Sequence, residues 1–387
     1  MRITAIRERA VPVQSAMRNA AFDFSEMTTS VVAVVTDAVR AGRPVIGYAF
    51  NSTGRYACGA TMRERLIPRL LATPPELLQD EAGLLDPAKC AARMALREKP
   101  GGDAERSVPI GTIEVAIWDA VAKALDRPLW HVLAERYGDG GIRRAIPVYV
   151  GGGWYQPGRD LAALAEEIRG HLGAGYTAVK IKTGGVSLDD DCRRLEVALA
   201  LLGDPGRLAV DANAALSPER AEAYADRLAP YGLRWFEEPC APQAFDQFAR
   251  LTQRYAPPLA TGENLFCLAD VENLIRFGGF RPGHDILQVD PPQAYGIAAY
   301  AAMVARVEAL GGSRACIFPH GGNMMSFAVA AGLGLGGCEA YPGVFGAFGG
   351  YAEGMVVTNG TLNLPDAPGI GFERQPALFG LMQELAG

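Results

Sequence analysis

The sequence predicts an α/β protein, a closed barrel of parallel strands covered by a smaller α+β cap. Three observations carry that expectation. From about residue 145 onward, eight short β-rich runs alternate with amphipathic helical stretches. Three acidic residues that end such runs, Asp211 in LAVDAN, Glu237 in RWFEEP and Glu263 in LATGEN, are spaced 26 residues apart twice over, the length of one strand, one helix and two short loops. Residues 1–125 lack this alternation.

In the N-terminal part, RITAIRERAVPV (2–13) and TTSVVAVVTDAV (28–39) read as strands of an antiparallel meander, and VPIGTIEVAIWDAVAKAL (108–125) as a strongly apolar helix. The barrel runs follow in order: IPVYVGG (146–152), AVKIK (178–182), RLAVDAN (207–213), RWFEEP (234–239), PLATGEN (258–264), ILQVDPP (286–292), CIFPHGG (316–322) and GCEAY (337–341). Between them, stretches such as 161–175 and 218–232 place apolar residues at i, i+3, i+4 and close on glycine, as helix C-termini do. The tail carries a hairpin signal at Asn359–Gly360 and then a short helix, and is expected to return to the N-terminal part. The expected division is a cap of residues 1–125 completed by 345–387, around a barrel of 126–344.

Composition excludes several classes. A net charge of −6 and an isoelectric point near 5.4, without a Lys/Arg block, argue against nucleic acid and for a small-molecule partner. No 18 apolar residues run together and the N-terminus has scattered charges, so no membrane partner and a cytoplasmic location are expected. Seven cysteines without a CxxC pair read as reduced thiols rather than a disulfide frame or zinc site. The glycine-rich pieces lack the strand–GxGxxG–helix order of a dinucleotide site.

The chemistry follows from the barrel. Parallel strands deliver their C-terminal ends to one rim, so Asp211, Glu237 and Glu263 should surround one point. Hard oxygen ligands without Cys or His suit Mg²⁺. Glu238 should point the other way from Glu237. Lys180 and Lys182, two residues apart on one strand, share the interior face, and Lys182 is the candidate base. Asp290 and His320, at the ends of the sixth and seventh runs, can form a dyad across the mouth from the lysines. Glu339, ending the eighth run, could donate a proton to a developing enolate oxygen or bind a substrate hydroxyl.

With KIK, VDAN, FEEP, TGEN, VD and PHGG in order over essentially the whole chain, the sequence resembles the enolase superfamily, within its mandelate-racemase-like subgroup. The resemblance implies a modified (β/α)7β TIM-type barrel with an α+β cap, and Mg²⁺-assisted abstraction of a proton α to a carboxylate. The Asp290/His320 dyad stands where muconate-lactonising members have a lysine, which selects the subgroup. The N-terminal pieces MRNAAFDFSEMTTS (17–30), GYAFNSTGRY (47–56) and REKPGGDAERSVPIGT (97–112) are similar to those of the D-tartrate dehydratases, although Thr53, Asn323 and Ala214-Ala215 depart from that pattern. This similarity implies substrate contacts from Asn19, Lys99, Tyr155, Lys180 and Glu339, with Lys99 reading a distal carboxylate. It also implies dehydration of D-tartrate to oxaloacetate, Lys182 taking the C2 proton and His320 delivering one to C3. A homo-oligomer is expected. The alternatives are a racemase or epimerase, a dehydratase of another acid sugar, and a barrel that binds sugar acids without turnover.

Overall fold

The computed structural model describes residues 1–155, 158 and 160–386. Its first unit is an antiparallel sheet of β1 (Ile3–Pro12), β2 (Thr28–Arg40) and β3 (Arg43–Phe50), in that spatial order. The run Val31–Val34 is fully buried, and its β-branched side chains suit a pleated core face. Ala41 and Gly42, both at positive φ, make the two-residue turn between β2 and β3. The apolar helix Asp103–Ala124 is buried from Arg106 to Lys123 and lies on this sheet. A Cβ at Gly47 would stand 1.9 Å from the Ala116 carbonyl oxygen, so only glycine permits the approach of β3 to this helix.

The second unit is the parallel barrel: β4 (Ala145–Gly152), β5 (Val179–Lys182), β6 (Leu208–Asp211), β7 (Trp235–Glu237), β8 (Leu259–Thr261) and β9 (Ile286–Leu287) pair consecutively, and β10 (Cys338–Ala340) pairs back with β4. The seventh run is reduced. Only Ile317 bridges to Leu287, because Pro319 has no N–H to continue a ladder. Intervening helices start where a side chain caps them: Asp160 accepts from Ala163 N–H, Ser187 from Asp190 N–H and Ser217 from Arg220 N–H. Inside the barrel, Tyr149, Trp235 and Phe318 interlock at centroid distances of 4.9, 5.5 and 6.1 Å, while Ala178, Ala209 and Ala260 leave them room. That plug is the floor of the site described below.

The tail divides between the two units. The hairpin of β11 (Val357–Thr358) and β12 (Thr361–Asn363) turns at Asn359–Gly360, as the sequence indicates. It joins the barrel sheet and not the N-terminal part, with Leu362 opposite Ile146. The reason is an open edge: β10 pairs only with Val148–Val150, so the first residues of β4 are free to accept β12. The last helix, Pro376–Ala386, does return to the antiparallel sheet, with Phe379 edge-on to Tyr48 at 5.9 Å and Arg9 paired to Glu384 at 3.1 Å. All seven cysteines are free thiols. Among the described residues, no helix is long and apolar enough to cross a membrane.

Candidate active site

Strand register places the central residues side by side. Lys182 on β5 is opposite Asp211 on β6, which is opposite Glu237 on β7. Lys180, two residues before Lys182, reaches into the interior among carboxylates. Its ammonium lies 2.5 Å from Glu237 Oε1, 2.5 Å from Glu339 Oε1 and 3.4 Å from Asp211 Oδ2. Burial alone would lower its pKa, but Glu237 and Glu339 hold it well above the usual lysine range. Lys182 Nζ lies 2.5 Å from Asp211 Oδ2 and 4.7 Å from the centroid of the Trp154 ring. Burial would raise the Asp211 carboxyl, yet the two lysines bring it down to about 2. Glu237 rests on the barrel floor, where Trp235 Nε1–H and Gln288 Nε2–H both donate to its Oε2. Burial pushes Glu237 up to about 7, with Asp211, Glu339 and Glu263 adding to the rise against the opposing Lys180 charge.

Glu263 and His320 stand at the rim. Glu263 follows Gly262, whose φ of +136° and crowding against Gln288 N–H exclude a side chain. His320 Nε2 is 3.3 Å from Glu263 Oε2, and its Nδ1 is 2.9 Å from Asp290 Oδ2. Burial opposes charge on this imidazole, but the Glu263 carboxylate and the Asp290 hydrogen bond raise it to about 10. Glu339 receives donors at one oxygen from Lys180 and from the Tyr341 hydroxyl. Burial raises its carboxyl, but Lys180 and His320 bring the net shift below the usual value.

Glu238 departs from strand alternation. β7 ends at Glu237, and Glu238 takes a φ of +42°. Its carboxylate turns to Asn264, whose Nδ2–H donates to Oε1 at 2.6 Å. Burial, Glu263 and Asp211 then raise it well above the ordinary carboxylate range.

One cavity collects Asn19, Thr53, Lys182, Asn213, Glu263 and His320. Lys99 and Tyr155 are not among its lining residues. Lys99 is exposed. Tyr155 donates its hydroxyl to Asp191 Oδ1 at 2.8 Å and accepts from Gly185 N–H, so it braces the segment after β5. Trp154, Tyr341, Phe24, Phe345 and Asn264 line the cavity and were not singled out from sequence. Asn264 directly follows Glu263, and Trp154 ends the glycine-rich stretch GGGW (151–154).

A divalent cation fits the donor set. Among the described residues no three His, Cys, Asp or Glu groups close into ligand geometry; the Lys180 ammonium contacts both Asp211 and Glu237, and the Lys182 ammonium contacts Asp211. Even so, burial and the charges of Asp211 and Glu263 raise the carboxyls of Glu237 and Glu238, and one buried oxygen of Glu238 has no partner among the described residues. An oxygen-only cluster in need of positive charge suits Mg²⁺.

The family description "Enolase C-terminal domain-like" matches residues 161–378. The chain belongs to this family. Within the enolase family, an arabinonate dehydratase from Saccharolobus solfataricus is 27% identical over 70% of this chain and 70% of its own length. A 3,6-anhydro-alpha-L-galactonate cycloisomerase from Streptomyces coelicolor is 32% identical over 68% of this chain and 70% of its own. The crystal structure of a racemase from Streptomyces coelicolor A3(2) with bound magnesium superposes with a TM-score of 0.78 at 25% identity, covering 97% of this chain and 99% of the other.

Proposed function

We propose that this chain dehydrates a 2,3-dihydroxy carboxylate, an acid sugar, with Mg²⁺ held by Asp211, Glu237 and Glu263. One observation carries the reading: Lys182 and the Asp290-paired His320 line one cavity together with Glu263. β5 and the segment after Ile317 are separated by four strands of the barrel, so the two groups approach a substrate from different sides. The relatives that act on sugar acids support the same class.

Mg²⁺, when bound, supplies charge stabilisation to the carboxylate end of the substrate. Lys182 Nζ takes the proton from C2, and the electron pair moves toward that carboxylate. The growing negative charge faces the Lys180 ammonium, which is fixed in place before reaction. The Lys182 ammonium so formed protonates the departing 3-hydroxyl, which leaves as water. His320 delivers a proton to C3 as the enol becomes a 2-keto acid, with Asp290 holding the imidazole at Nδ1. Glu339 and Asn19 serve as contacts to substrate hydroxyls.

The narrower reading, D-tartrate to oxaloacetate, rests on the N-terminal motifs. Its second carboxylate needs a cation, and Lys99 is exposed and outside the cavity lining. A racemase would use the same pair to exchange one α-proton, so the test must separate the two. Purified protein with Mg²⁺ is incubated with a panel of acid sugars and read for 2-keto acid, with polarimetry in parallel. Dehydration predicts keto acid, lost together with C2 deuterium exchange in Lys182→Ala. Optical rotation decaying to zero without keto acid would replace dehydration by racemisation.

A further inference from the structure

One wall of the cavity is aromatic. Phe24 from the cap, Trp154 after β4, and Tyr341 and Phe345 after β10 are each at most 8% exposed. They pack mostly edge to face, with centroid distances of 5.1 Å for Phe24–Phe345, 5.9 Å for Trp154–Tyr341 and 5.2 Å for Tyr341–Phe345. All four line the cavity that holds Lys182 and His320.

Polar capacity on this wall is small and mostly committed. Asn19 Oδ1 already accepts from the N–H groups of Ala21 and Phe22, and the Tyr341 hydroxyl donates to Glu339. One uncommitted group is the Trp154 indole N–H, which is buried without a hydrogen-bond partner among the described residues. The basic side chains among the described lining residues are Lys182 and His320, already paired with Asp211 and with Asp290.

We propose that this aromatic box receives an uncharged, C–H-rich distal end of the substrate, so that the chain selects monocarboxylic acid sugars (aldonates) over dicarboxylic ones (aldarates), with the Trp154 N–H donating to one distal hydroxyl. The proposal rests on the dehydratase reading for the other end of the molecule. Its physical basis is twofold. The C–H face of a polyol packs on aromatic rings, whereas a carboxylate meets their negative faces. A second carboxylate in this box would also be desolvated with no unpaired cation beside it, because Lys182 at the Trp154 ring is already held by Asp211, a far larger cost than burying one hydroxyl with a donor.

The test is calorimetric binding to the full-length protein in Mg²⁺, using pairs that differ only at the terminal carbon: gluconate with glucarate, and galactonate with galactarate. At least one aldonate should bind about tenfold or more tighter than its aldarate. Trp154→Phe keeps the ring and removes the donor, and should weaken that aldonate by roughly three- to tenfold while leaving Mg²⁺ affinity unchanged. Phe22→Arg, at a half-exposed position on the cavity's outer lining, should narrow the ratio by tightening aldarate binding. Equal or tighter aldarate binding in both pairs, or no aldonate binding at all, overturns the proposal. Formation of 2-keto acid is followed in parallel. Aldonate preference without keto acid removes the dehydration reading alone, whereas aldarate preference with keto acid removes the aromatic-box reading alone.

Discussion

Replacing Lys180 with methionine tests the electrostatic design of the site. Methionine keeps most of the volume and removes the charge that sits 2.5 Å from Glu237, 2.5 Å from Glu339 and 3.4 Å from Asp211. All four side chains are at most 1% exposed. Deleting one partner of a buried ion pair costs about 3–5 kcal/mol, and an ammonium shared by three carboxylates belongs at the upper end. An unfolding entropy of about 2.1 cal/mol/K per residue amounts to about 0.8 kcal/mol/K over 387 residues, so Tm should fall by about 6 °C without metal. The assay is thermal unfolding followed by circular dichroism in EDTA and in saturating Mg²⁺. Mg²⁺ at 100 times its Kd should restore about 2.7 kcal/mol, and the Tm gain should be larger in the variant, because the competing ammonium is gone. A fall of under about 2 °C in EDTA would show that these carboxylates do not depend on Lys180. A Tm unaffected by Mg²⁺ in both proteins would refute the metal assignment.

Asp290→Asn replaces the carboxylate beside His320 Nδ1 with a neutral amide that no longer raises the imidazole's basicity, so kcat should fall roughly 100-fold or more with little change in KM, measured by steady-state kinetics on the best acid sugar. Burial pushes the Glu114 carboxyl up to about 7 from 4.5, even though Trp118 and the N–H groups of Ile297 and Ala298 donate to it. Because the folded value lies above the unfolded one, its contribution is complete below pH 4.5 and is lost as pH rises to 7, a decline of about 3 kcal/mol. Urea unfolding between pH 4.5 and 8 should show that decline in the parent and a flatter profile in Glu114→Gln. Gly47→Ala forces a methyl to within 1.9 Å of the Ala116 carbonyl, so β3 and its helix must separate, at a cost of about 3 kcal/mol or more in the urea midpoint. Glu237→Gln should lower Mg²⁺ affinity by calorimetry more than Glu238→Gln does; the reverse order would make Glu238 the ligand.

The adjacency of Asp211 and Glu237 was legible in the sequence because one strand, one helix and two short loops separate them by 26 residues, and a parallel barrel turns that spacing into lateral adjacency; Lys182, 29 residues before Asp211, joins the same level by the same kind of unit. The Asp290–His320 pair was legible for the same reason, from adjacent run ends. What escaped the sequence lies beyond the strand ends. Glu238 was assigned by the alternation of a strand that stops one residue earlier, and its backbone at φ +42° redirects the carboxylate. Tyr155 and Trp154 are neighbours in sequence, yet only Trp154 faces the cavity, since Asp191 on a later helix captures the tyrosine hydroxyl. The hairpin at Asn359–Gly360 was recognisable from its turn residues, but its partner depended on the edge that β10 leaves open on β4. The aromatic box joins residues 24, 154, 341 and 345, which no local period connects. Regular elements repeat their geometry and so write it into residue spacing. Loops that meet over a barrel mouth do not repeat, and their contacts arise only when distant segments compete for the same neighbours in the folded chain.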